Sequence, residues 1–292
     1  MNGLSGRMLN LPSKNPKYNR EILLLCGHHS SIERMDAFIE VFNDYGNVTV
    51  PDLPGFGGME PFYKIGKKPT IDNYADYLAA FIKLRYKRKK FVVIGMSFSV
   101  PVFVRMLQKY PQLQDRVEFC VSLSGFVHKE DFRFNKFELG VIKYLVFIFS
   151  RKSTSYLVGK VLLKEKVIQT VYKVDYLNRK NRKSDLASIK SRIKLDSRLW
   201  AINDFRTAIY TYYEMMSIDL CDVQVKSQIY HLTSEADHFF HKEIVEQHMQ
   251  IIFKNFHSTK TTQNVHVPAI DAPLDVVKSY IPEEVHKRLK MI

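Results

Sequence analysis

Three cysteines in 292 residues, Cys26, Cys120 and Cys221, are too few and too far apart for a disulfide framework, and their number is odd. That excludes the small stapled secreted folds and points to a reducing compartment. No Cys-x-x-Cys or His-Glu-x-x-His spacing occurs, and no Gly-x-Gly-x-x-Gly follows a strand, so neither a metal nor a cofactor is expected. Internal repeats and low-complexity segments are also missing. The longest apolar run, Leu139 to Ser150, is interrupted by Lys143 and is too short to span a bilayer, so it reads as a buried or interfacial helix. Met1 to Arg20 mix prolines, lysines and asparagines without the apolar stretch of a secretory signal, and the expected location is cytoplasmic. Acidic residues are in deficit, 30 against 44 basic ones, for a formal charge of +14. With 46% hydrophobic residues the chain can bury one large core, or one core that carries an inserted cap.

What the chain does have is a buried-looking strand, Phe91 to Met96, that runs into Ser97 with small residues on either side, Gly95 and Ser99. Val100, Phe103, Val104 and Leu107 then recur at helical spacing. A serine hydroxyl becomes a useful nucleophile when a sharp strand-to-helix turn holds it clear of its own backbone, and that turn crowds the positions two before and two after it. Gly95-Met96-Ser97-Phe98-Ser99 has this form, with Ser99 where a second glycine is usual.

Other segments fall in order around it. Glu21 to Cys26 reads as a strand ending in the small, polar loop Gly27-His28-His29-Ser30-Ser31, and Val48-Thr49-Val50 leads into Pro51-Asp52-Leu53-Pro54-Gly55-Phe56-Gly57-Gly58. Phe119 to Gly125 reads as a further parallel strand. Gln228 to Leu232 precedes a loop with Glu235 and Asp237, and His266 opens His266-Val267-Pro268-Ala269-Ile270-Asp271-Ala272-Pro273. Together these segments resemble the α/β-hydrolase family. Its Asp-x-Pro-Gly-Phe-Gly motif is matched at every letter by Asp52 to Gly57, and its His-Gly loop is matched at Gly27, with Cys26 in place of histidine. The resemblance implies an α/β-hydrolase fold, a mostly parallel twisted sheet flanked by helices. A helical lid would be inserted between the strand near 119–125 and the strand near 227–232. The core would comprise 1–126 and 217–292 and the lid 127–216. The N-terminal segment leaves room for one short strand around Arg7 to Leu11, but hardly for the hairpin that often opens this fold.

The order Ser97, Asp237, His266 is the serine–acid–histidine order of that fold. The resemblance implies Ser97 as nucleophile, His266 as base and Asp237 as the acid orienting it, with the backbone N–H groups of His28 and Phe98 as the oxyanion hole. Glu235 is the alternative acid, and His238 and His257 are alternative bases. His28 is expected to act through its N–H rather than its ring. The implied activity is that of a serine hydrolase cleaving a carboxylic ester or thioester of an apolar or acyl-chain substrate through an acyl-enzyme. A non-catalytic ligand- or partner-binding module on the same fold is the alternative, suggested by Cys26, Ser99 and the short N-terminus.

The charge is concentrated in one place. Between Val127 and Met216 there are 19 Lys and Arg against 9 Asp and Glu, or +10 of the total. Lid helices are expected over Phe137 to Phe149, Tyr156 to Leu177, Asp185 to Ile193 and Trp200 to Met215, with Arg179 to Lys183 as a basic loop. The aromatics and methionines among them, such as Phe132, Tyr144, Phe147, Tyr212 and Met215, suit either an apolar pocket or a lid core. Alternating apolar and basic residues over Tyr144 to Lys166 suit a peripheral contact with an anionic membrane surface, or a solvated face. Nucleic-acid binding has no recognised reading motif in its favour.

Overall fold

The computed structural model describes residues 3–134, 136–161, 167, 170, 186–234, 237–261, 263, 265–268 and 272–291. Each run read above as a strand forms one. In chain order the elements up to the insertion are β1 (Met8–Leu11), β2 (Glu21–Leu25), α1 (Asp36–Asn43), β3 (Asn47–Pro51), α2 (Ile71–Tyr86), β4 (Phe91–Met96), α3 (Ser99–Lys109) and β5 (Val117–Leu123). Four described helices follow, α4 (Lys136–Phe149), α5 (Lys152–Val161), α6 (Leu186–Ile202) and α7 (Phe205–Met215). The chain then returns through β6 (Ile229–Thr233), α8 (Lys242–Ile252), β7 (Phe256–Lys260), α9 (Leu274–Tyr280) and α10 (Glu283–Lys290). Among the described residues no helix is long and apolar enough to cross a membrane.

The strands form one seven-stranded sheet in the order β1-β3-β2-β4-β5-β6-β7, parallel except for the antiparallel edge strand β1. Because helices cover both faces, the central strands are apolar at successive positions rather than alternating with polar residues. Leu23, Leu25 and Val93 face one core with α2 and α3, while Ile22, Leu24, Val92 and Ile94 face the other with α1, α9 and α10. The single strand at Met8–Leu11 agrees with the expectation for the N-terminal segment. β7 was not expected; its Phe256-His257-Ser258-Thr259-Lys260 has the polar, partly exposed character of an edge strand.

The expected break between the last two insertion helices is displaced. A continuous helix runs from Leu186 through Trp200 to Ile202, and a new one starts at Phe205 because Asp204 accepts the Thr207 N–H at 2.7 Å as an N-cap. The second expected helix is described as Lys152–Val161, beginning earlier than Tyr156; most of its remainder and the Arg179 to Lys183 run lie outside the described residues. α4 and α5 pack on α7, and α7 is in turn fastened to the core. The Gly57 N–H donates to Asn203 Oδ1 at 2.7 Å, the Asp204 N–H to the Gly55 carbonyl at 2.8 Å, and the Ile71 N–H to Glu214 Oε2 at 3.1 Å.

The order reverses at β2, with β3 on one side and β4 on the other, so the connections leaving the β2 and β4 carboxyl ends run to opposite sides, which is where an open α/β sheet forms its crevice. Gly27-His28 follow β2 and Ser97 follows β4, and both therefore border that crevice.

Candidate active site

Ser97 sits between β4 and α3 with φ of +48°, in the left-handed region that a side chain adopts under strain. The turn is held by its neighbours. A Cβ added at Gly95 would lie 2.8 Å from the Phe103 ring, so only glycine lets α3 pack this close to β4. Ser99, in place of the second glycine, is fully buried and its hydroxyl is used: it accepts the Met96 N–H at 2.8 Å and donates toward the Leu25 and Met96 carbonyls, both at 3.1 Å. The serine thus ties the elbow to the end of β2.

The residues expected to be acid and base are brought together. His266 Nδ1 lies 2.6 Å from Asp237 Oδ2, while Asp237 Oδ1 accepts the N–H groups of Phe239 at 2.8 Å and Phe240 at 3.4 Å. Burial pushes the Asp237 carboxyl up, but the His266 hydrogen bond and charge and the two N–H groups outweigh it, and its pKa lies below the ordinary carboxylate value. The acid remains an anion that fixes the proton on His266 Nδ1 and leaves Nε2 as the lone-pair nitrogen. Phe239 and Phe240 flank the imidazole at ring distances of 5.1 and 5.4 Å.

Ser97 and His266 are hung on consecutive residues at the end of β5. The Ser97 N–H donates to the Leu123 carbonyl at 2.9 Å, and the Ser124 hydroxyl donates to the His266 carbonyl. Tyr280 from α9 supports the same carbonyl at 2.8 Å. Among the described residues no hydrogen bond joins Ser97 Oγ to His266; such bonds often close only when substrate is bound.

His28 follows β2 as expected, and its N–H and that of Phe98 make no hydrogen bond to a described residue, which leaves both donors open. Its ring has a second task that the sequence did not suggest. Nε2 faces the Ala208 carbonyl at 3.1 Å and Thr211 Oγ1 at 2.9 Å on α7, so it carries the proton and bonds the core to the insertion. Burial drops its pKa to about 4, and the ring is neutral at neutral pH. Phe56, Phe98 and Tyr212 surround it at ring distances of 5.5 to 5.7 Å, so the ring packs against a largely buried aromatic wall. The His29 ring lies 4.0 Å from Trp200 of α6, the two planes tilted by 43°.

The Asp52-to-Gly57 motif holds this wall in place. Asp52, buried, accepts the Ile32 N–H at 3.0 Å and pairs with Arg7 at 2.6 Å, and Arg7 also donates to the Gly57 carbonyl. Burial raises the Asp52 pKa to about 6 despite Arg7. Gly57, at φ of +61°, abuts this carboxylate so closely that a Cβ would fall 2.0 Å from Oδ1.

The alternatives fare differently. His257 lies in β7, stacked on Tyr230 at 4.9 Å and bonded to Gln228, near the opposite end of the strand from Asp237. His238 is exposed. Glu235 and Asp271 lie outside the described residues. Of the aromatics and methionines expected in a pocket, Phe132 and Met215 are buried in the core, whereas Tyr144 and Phe147 are exposed on α4.

No protein-family model matches the sequence, and no curated protein matches it. Solved structures do match its fold. A thermophilic esterase from Thermogutta terrifontis aligns with a TM-score of 0.64 at 15% identity, over 99% of this chain and 94% of that one. The enol-lactonase from Burkholderia xenovorans LB400 aligns at 0.62 and 12% identity, over 99% and 95%. An α/β-hydrolase enzyme from a Medee basin deep-sea metagenome library aligns at 0.61 and 15% identity, over 90% and 87%.

Proposed function

Starting from the α/β-hydrolase fold that this chain shares with those structures, we propose that it is a serine hydrolase that cleaves an ester-like bond, carboxylic ester or thioester, of an apolar or acyl-chain substrate. The observation that carries this reading is the 2.6 Å pair of His266 and Asp237, anchored beside a serine in the left-handed conformation. Ser97 Oγ attacks the carbonyl while His266 Nε2 takes its proton, and Asp237 stabilises the imidazolium that forms. The open N–H groups of His28 and Phe98 meet the developing oxyanion, each such donor being worth about 2.7 to 4 kcal/mol. His266 then protonates the leaving group, and water, with His266 again as base, releases the acyl group from Ser97.

The helices of 127–216 act as a lid, bonded through α7 to His28 and to the Gly55–Gly57 turn. Exposed Phe239 beside His266 and partly buried Tyr212 beside His28 support an apolar substrate. Exposed Phe137, Tyr144, Phe147 and Leu157, beside Lys143, Arg151 and Lys152, support peripheral contact of α4 and α5 with an anionic membrane surface. The reaction is tested with a fluorophosphonate probe, which reports an activated serine without knowledge of the substrate. Adduct mapped to Ser97 in the wild type and absent from a folded Ser97→Ala variant is the expected result. A folded wild-type protein that takes no label would instead make the chain a non-catalytic binding module.

A further inference from the structure

Away from Ser97, three metal-competent side chains converge on the far side of the Asp237 loop. His128 and Glu130 lie just after β5 and His248 lies on α8, and one donor atom from each is within 4.8 Å of the other two. The two imidazole rings are 4.2 Å apart. Hydrogen bonds assign their nitrogens. His248 Nδ1 is 2.6 Å from Asp131 Oδ1, a buried carboxylate that can only accept there, so the proton is on Nδ1 and Nε2 offers a lone pair. His128 Nδ1 accepts the Glu130 N–H at a long 3.2 Å, so it too holds a lone pair, and it lies 3.9 Å from Glu130 Oε2. The proton of His128 is then on Nε2, 3.5 Å from Asp219 Oδ2.

We propose that His128 Nδ1, Glu130 and His248 Nε2 form a binding site for a divalent transition-metal cation of the zinc type. Two imidazoles and one carboxylate suit such an ion, which takes its ligands at about 2.0 to 2.2 Å and completes a tetrahedron with water. Each imidazole has a carboxylate at its other nitrogen, Asp131 behind His248 and Asp219 beside His128, which is the outer arrangement that orients metal-bound histidines. Binding requires the Glu130 side chain, two-thirds exposed and free to swing, to close on the pair, and the weak Glu130 N–H bond to His128 to be released. A sequence scan misses this site because its ligands are over a hundred residues apart.

The ion would be structural rather than catalytic. Asp131 Oδ2 accepts the Val127 and His128 N–H groups, the Asp131 carbonyl accepts the His241 N–H at 2.7 Å, and Phe132 bridges to Phe240. A metal joining His128 and Glu130 to His248 would therefore fasten the C-terminal side of the loop that carries Asp237, where Phe240 and His241 meet Phe132 and Asp131.

The test is calorimetric titration of zinc chloride into tag-free, chelator-treated full-length protein, paired with thermal melting. One zinc per chain and a melting temperature raised by zinc are expected. Affinity should fall tenfold or more in both His248→Ala and Glu130→Gln, the latter a surface change that leaves the zinc-free melting temperature in place. Absence of zinc uptake by the wild type overturns the proposal, as does unchanged affinity in Glu130→Gln. Neither result depends on whether Ser97 takes a fluorophosphonate.

Discussion

Replacing Asp237 by asparagine changes one oxygen to an NH2 and leaves the volume alone, yet the two sides of this carboxylate make opposite demands. Oδ1 accepts from the Phe239 and Phe240 N–H groups at 2.8 and 3.4 Å, so asparagine must turn its carbonyl that way. Its NH2 then faces His266 Nδ1, where the carboxylate accepted at 2.6 Å. Two donors cannot share that contact, and the imidazole proton moves to Nε2, the atom that has to receive the serine proton. The loss expected from a wrong tautomer is roughly 10⁴ in kcat, or about 5.4 kcal/mol of transition-state stabilisation. The melting temperature should stay near that of the wild type, because the backbone bonds persist. Chromogenic ester hydrolysis and the rate of fluorophosphonate adduct formation measure the first effect, and calorimetry the second. A folded variant within tenfold of the wild-type rate in both assays refutes the assignment of the acid.

Ser99→Gly restores the residue usual in this motif and should nevertheless destabilise, since the buried Met96 N–H loses its acceptor. A cost of about 1–3 kcal/mol corresponds to a melting temperature lower by about 2–5 °C; an unchanged or higher value would show that the hydroxyl is dispensable. His231, buried in β6 against Ser122, has its pKa pushed down from 6.5 to about 3 by burial. The unfolded chain therefore binds a proton between those values that the folded chain does not, and stability falls as pH drops through this window by about 1.4 kcal/mol per unit. Denaturant titrations from pH 7 to pH 4 should give a shallower decline for His231→Asn; equal slopes would remove His231 as a source of acid lability.

The parts of this molecule that were legible in sequence are those whose meaning is local. Gly95-Met96-Ser97 announces a strained turn because crowding within five residues dictates small side chains, and Asp52 to Gly57 does the same, since Gly57 and Asp52 nearly touch. Asp237 could be named from its place after a strand and His266 from the prolines and acid that follow it, and the family resemblance implied their contact. Illegible were the contacts that span the chain: the His28 ring to Ala208 and Thr211, Ser99 to Leu25, and the His128 ring against that of His248. Nothing in the identity of a histidine tells which distant helix its second nitrogen will meet. The helix break at Asn203-Asp204 was readable in principle, for Asp204 stands three residues before Thr207 as N-caps do, but the apolar period running through Trp200 masked it.

The hydroxyl of Ser124 reaches the His266 carbonyl across 142 residues of chain, one residue after Leu123 has fixed the nucleophile's own N–H. The proposed nucleophile and base are in this way measured from one datum, a single peptide unit at the rim of the sheet. Errors in the length, composition or flexing of everything inserted between them do not accumulate in their separation. The long segment between β5 and β6 can therefore change in length or packing while the spacing of Ser97 and His266 is kept.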